Sequence, residues 1–114
     1  MKHKSVRPTS VSFMGRTYGI TYDHDLPDEL LGLTNHATFQ VAIRESQEPL
    51  DEADTLVHEV MHILWYQMGL VADLNEDLEE RVIRAMATAI TYAISENPQL
   101  LNYLKVALKK PGGK

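Results

Sequence analysis

Cysteine is absent from this chain of 114 residues. That excludes disulfide staples, thiol nucleophiles and every cysteine-bearing zinc site, so a bound metal would have only nitrogen and oxygen ligands to draw on. No apolar run is long enough to span a membrane. The basic start, Met1-Lys2-His3-Lys4-Ser5-Val6-Arg7-Pro8, has no apolar segment behind it of the kind a secretory leader carries. These shortages together predict a cytoplasmic protein that does not work at membranes. Bases are also scarce, 11 against 16 acids, for a net charge of −5. A broad nucleic-acid surface needs the opposite balance, so none is expected. No repeat, linker or low-complexity stretch divides the chain, and a single domain over 1–114 is expected. The bases at its two ends read as frayed tails, about 1–8 and 110–114.

The pattern runs from strands to helices, which predicts an α+β fold. Val11 to Phe13 and Arg16 to Tyr22 read as short strands around a turn at Met14-Gly15. Leu26 to Leu31 is a candidate helical turn that Gly32 breaks. Ala37 to Arg44 is the clearest strand, with Phe39, Val41 and Ile43 on one face. A long helix is expected from about Leu50 to Met68, with Asp51, Glu52 and Asp54 near its positive end. Its apolar stripe is Leu56, Val57, Val60, Met61 and Leu64, and Gly69 is its stop. Asp73 and Glu76 have capping-box spacing for a second helix reaching about Glu96. Asn97-Pro98 opens a third, to about Leu108.

Within the first long helix lies His58-Glu59-Val60-Met61-His62. Its two histidines are a helical turn apart on one face and can share one Zn²⁺. Glu59 sits beside a ligand rather than in line with it, where it can act as general base on the metal's water. Two histidines at the boundary of an amphipathic helix can also be plain packing residues. Here the glutamate between them and a second helix rich in carboxylates favour metal. A catalytic zinc usually takes three protein ligands. No histidine follows His62, since His3, His24 and His36 all precede the motif. Among the later acids, Asp73 and Glu76 have a capping explanation, and Glu96 lies at the far end of its helix. Glu79 and Glu80 remain as third-ligand candidates. Each continues into an apolar face, so periodicity does not separate them.

The run Thr55 to His62, followed by Glu79-Glu80-Arg81-Val82-Ile83-Arg84-Ala85-Met86-Ala87, resembles the gluzincin metallopeptidases. It is most similar to small phage- and prophage-type members, and more loosely to the ImmA/IrrE-type peptidases. Glu80, Ile83, Met86 and Ala87 match the spacing of the latter's ligand helix, so the resemblance implies Glu80 as third ligand. Met61 stands where ImmA-type members usually carry glycine. The resemblance further implies a minimal zincin-like domain, a small N-terminal sheet packed on the motif helix and ligand helix. It implies Zn²⁺ as cofactor and a peptide or protein as substrate. It also implies that the Thr38–Arg44 strand is the edge along which the substrate pairs.

Tyr18, Tyr66, Tyr92 and His36 are of the right type to stabilise an oxyanion, with no other support in the sequence. His36 reads first as a turn residue, Trp65 as core, and Asp23-His24-Asp25 as solvated loop. The expected function is a zinc metallopeptidase, with His58, His62 and Glu80 as ligands and Glu59 as base. The alternative is a non-catalytic, zinc-bound interaction protein of phage origin that keeps the same core.

Overall fold

The computed structural model describes residues 2–27 and 29–109. The expected fray at 110–114 lies outside them. Two strands, β1 (Ser10–Phe13) and β2 (Arg16–Asp23), form an antiparallel hairpin. Its turn places Met14 at φ 52° and Gly15 at φ 86°, the doubly left-handed geometry that matches the twist of a tight hairpin. Two further strands follow, β3 (Gly32–Asn35) and β4 (Gln40–Arg44). The sheet order is β1-β2-β4-β3, with β2 and β4 parallel and β3 antiparallel to β4. Alternation turns Tyr18, Ile20, Val41 and Ile43 to one face, where they bury with Ile63 as the core.

Three expectations about this region are corrected. Gly32 opens β3 rather than ending a helical turn, and no helix forms at Leu26–Leu31 among the described residues, Asp28 lying outside them. The strand begins at Gln40 rather than Ala37, because Phe39 takes φ 57° in the preceding turn. Finally, β4 is not an edge. It is hydrogen-bonded on both sides, and the sheet's edges are β1 and β3.

Helix α2 spans Pro49–Gln67 and starts on a proline, whose missing N–H has no partner to lose there. Gly69, at φ 79°, ends it as expected. The face it buries differs from the expected stripe. Glu52, Thr55, Glu59, Ile63 and Trp65 are buried, while Leu64 is exposed. The polar members each have partners. Glu52 takes Arg7, Thr55 donates to Gln47 and to the Asp51 carbonyl, and Glu59 takes the Thr34 hydroxyl.

A single turn, Leu70–Asp73, leads to the long helix Glu76–Glu96; with the N-terminal turn Lys2–Ser5 as α1 these are α3 and α4. Asn75, not Asp73, caps α4, accepting from the Leu78 N–H at 2.8 Å. Asp73 is itself held in α3. Ile83, Ala87 and Thr91 form the buried face of α4, which packs on α2. The last helix, α5 (Pro98–Ala107), buries none of its residues. Asn97 does not cap it with its side chain, which instead donates to the Ala93 carbonyl. No helix among the described residues is long and apolar enough to cross a membrane.

The start of the chain is not frayed over the described residues. Lys2–Ser5 is helical, and Arg7 is fixed against the sheet and α2. Its guanidinium donates through two nitrogens to Glu52, pairs with Glu45 at 2.8 Å and lies 4.5 Å from the Tyr22 ring centroid. These hydrogen bonds, Glu52's foremost, raise the pKa of Arg7. Without Arg7, Glu52 would be a largely buried carboxylate with its main donor gone. Arg7→Ala is expected to cost about 1–3 kcal/mol of stability, read as a lower denaturant midpoint with an unchanged slope. An unchanged midpoint would mean that the cluster is ornamental.

Candidate metal centre

Helical spacing puts His58 and His62 on the α2 face that meets α4, and Glu80 comes from the first turns of α4. The three residues form a group whose ligand atoms all lie within 4.8 Å of one another. His58 Nε2 and His62 Nε2 are 3.2 Å apart. Glu80 Oε1 lies 3.2 Å from the former and 3.3 Å from the latter. The result is a nearly equilateral triangle of lone-pair donors. Glu80 Oε1 is buried and accepts no hydrogen bond among the described residues. A buried anionic oxygen aimed between two imidazole nitrogens, itself without a donor, suits a cation at the triangle's face. The donor set of two nitrogens and one oxygen is compatible with a borderline ion.

Both sequence candidates for third ligand reach the site, in different places. Glu79 Oε2 meets the other nitrogen of His62, accepting from Nδ1–H at 2.7 Å. That bond holds the proton on Nδ1 and leaves the Nε2 lone pair free to face Glu80 and His58.

Glu59 is 6% exposed and points toward β3. The Thr34 hydroxyl donates to its Oε1 at 2.6 Å. Burial pushes the Glu59 carboxyl's pKa up, while the Thr34 bond and the neighbouring imidazoles pull against it. The close approach of β3 depends on Gly32. A Cβ there would lie 2.9 Å from Glu59 Oε2 and 2.9 Å from Thr55 Cγ2.

His58, His62, Glu80, Glu59, Thr34 and Gly32 line one cleft of about 480 Å³, between β3, α2 and the start of α4, while Glu79 stays behind the His62 ring. His36, from the β3–β4 turn, and Arg84 and Thr88, further along α4, complete its wall. Comparison with protein-family models, with curated proteins and with solved structures finds no match.

Other residues singled out from the sequence fall elsewhere. Trp65 is buried but does not line the cleft, and Tyr92 is exposed on α4 away from it. Asp23, His24 and Asp25 form no metal-holding group among the described residues. Sequence reasoning missed Thr34, whose role depends on an unrecognised strand, and left Glu79 without its orienting role. A carboxylate next to the expected ligand was the only available signal for the latter.

Proposed function

We propose that this chain is a zinc-dependent peptide hydrolase on a minimal zincin-like fold, related to the small phage-type gluzincins. The observation that carries the reading is the triangle of His58 Nε2, His62 Nε2 and Glu80 Oε1. Ligands about 2.0–2.1 Å from a tetrahedral zinc lie about 3.3 Å from one another, and the three edges here are 3.2, 3.2 and 3.3 Å. When bound, zinc supplies a Lewis acid and lowers the pKa of its water to about 7.

The chain's own groups supply the rest. Glu59 accepts a proton from the attacking water as its oxygen bonds to the scissile carbonyl carbon. It returns that proton to the nitrogen as the C–N bond breaks. Thr34 holds the Glu59 carboxylate in place, and its single hydrogen bond leaves Oε2 able to take the proton. The substrate's path is the outer edge of β3. The Arg44 N–H donates to the Leu31 carbonyl at 2.7 Å. Antiparallel alternation then turns the peptide groups of Leu31, Leu33 and Asn35 toward β4, and those of Gly32 and Thr34 outward. An extended peptide can add to that edge beside the metal triangle.

Glu59→Gln should keep zinc and lose about 10²–10⁴-fold in turnover. The assay loads the protein with zinc, offers it a complex peptide mixture and reads new termini by mass spectrometry. Cleavage that is indifferent to Glu59→Gln, or no cleavage by a zinc-loaded wild type, would remove the hydrolase reading. The second reading, a zinc-stapled interaction protein, draws on α5, which buries no residue and exposes Tyr103 and Val106, with Leu108 exposed at its C-cap. Under that reading Glu59→Gln leaves partner affinity intact.

A further inference from the structure

His36 is held more firmly than a turn residue needs to be. Asn35 Oδ1 accepts from the N–H groups of both Ala37 and Thr38, fixing the turn as it leaves β3. The His36 ring stacks on Tyr66, with centroids 4.1 Å apart and planes 7° from parallel. Tyr66 lies one helical turn beyond His62, so the stack seats His36 beside a metal-facing imidazole. On its other side His36 Nδ1 is 3.0 Å from the Tyr18 hydroxyl.

The Tyr18 contact selects the tautomer. Tyr18 is fully buried, and His36 is the only partner of its hydroxyl among the described residues. A buried O–H must find an acceptor, so it donates to Nδ1. The ring proton therefore resides on Nε2. Burial raises the pKa of Tyr18 and lowers that of His36. Among the described residues Nε2–H has no hydrogen-bond partner, and His36 lines the same cleft as Thr34 and His62.

We propose that His36 is a catalytic residue whose Nε2–H donates to the carbonyl oxygen of the scissile bond as that oxygen becomes anionic. Tyr18 and Tyr66 are its positioning residues. The role rests on the peptidase reading. It needs no proton to leave the ring, because the hydrogen bond shortens as negative charge grows on the oxygen. A preorganised donor of this kind is worth about 10²–10³-fold in rate.

The test compares zinc-loaded wild type, His36→Phe and His36→Gln. Phenylalanine keeps a ring on Tyr66 without the donor, and glutamine restores an N–H. The probe is a panel of phosphinic dipeptides, whose tetrahedral anionic oxygen stands in for the carbonyl oxygen in mid-reaction. Wild type should bind a member of the panel, His36→Phe should bind it about 10²-fold more weakly, and His36→Gln should recover part of the loss. Zinc content should be equal in all three. Nitrogen-15 NMR should show His36 as the Nε2–H tautomer in wild type, with that preference lost in Tyr18→Phe. Equal phosphinate affinity in wild type and His36→Phe, or an Nδ1–H ring in wild type, overturns the assignment and leaves the hydrolase reading standing. No phosphinate binding by zinc-loaded wild type overturns both.

Discussion

Glu80→Ala should reduce the protein from about one zinc per chain, the stoichiometry of a single three-ligand site, to none after dialysis. Glu79→Ala should still bind, about 10–100-fold more weakly. The two glutamates are neighbours in sequence and of the same chemistry, so composition and net charge change identically in the two variants. Only geometry separates them. Glu80 Oε1 lies 3.2 and 3.3 Å from the two Nε2 atoms, on the face of the triangle. Glu79 Oε2 is 2.7 Å from Nδ1, on the far side of the His62 ring. Losing Glu80 removes a ligand; losing Glu79 frees the ring to rotate and to carry its proton on either nitrogen. Elemental mass spectrometry on untagged protein gives the stoichiometry, and competition against a chromogenic chelator gives the affinities. The reverse order, with Glu79→Ala empty and Glu80→Ala loaded, would sink the ligand assignment.

Gly32→Ala should destabilise the protein by about 1–3 kcal/mol, the usual cost of overpacking a close contact. The sign makes the experiment informative. Gly32 does not adopt a left-handed φ, so the backbone there does not require glycine. In an unobstructed strand, alanine would stabilise by about 0.5–1 kcal/mol through the entropy that glycine loses on folding. The obstruction is specific. The new Cβ would sit 2.9 Å from Thr55 Cγ2 and 3.0 Å from Glu59 Cγ, and neither atom is the free end of a long side chain. It would also lie 2.9 Å from Glu59 Oε2, so relief requires moving the carboxylate or lifting β3 from α2. Turnover should fall together with stability while zinc is retained. Chemical denaturation of the two proteins decides the sign, and a more stable Gly32→Ala would mean that β3 stands further from α2 than described.

The helices were largely legible because length and periodicity define them. The body of α2 and of α4 could be read from spacing alone, and Gly69 and Pro98 marked a stop and a start. What escaped depended on partners distant in sequence. Strand β3 has four residues, begins with the residue most often read as a breaker, and leaves Leu33 46% exposed, so no alternation announces it. Whether a strand lies at an edge is a property of the assembled sheet, which is why β4 was mistaken for the border. Arg7 looked like part of a tail because its carboxylates lie 38 and 45 residues away. The buried face of α2 escaped for a different reason. Three of its members are Glu52, Thr55 and Glu59, and a hydrophobic stripe cannot reveal a face lined with satisfied polar groups. The candidate site was legible as a motif because His58, Glu59 and His62 fall within one pentapeptide. The choice between Glu79 and Glu80 was not, since adjacent helix positions both fall on the arc that α2 covers.

The three candidate ligand atoms come from α2 and α4 alone, whereas the substrate's proposed path runs along β3 and its turn. The two halves meet closely at Thr34, which bonds Glu59, and at Gly32, which makes room for it. Such a division leaves different degrees of evolutionary freedom. Leu33 alternates with Gly32 and Thr34 and is 46% exposed, so under the proposed function it can vary with the polypeptide without displacing the carboxylate that Thr34 holds. Gly32 and Thr34 answer to both halves at once, so a change at either would disturb the proposed path and the Glu59 carboxylate together.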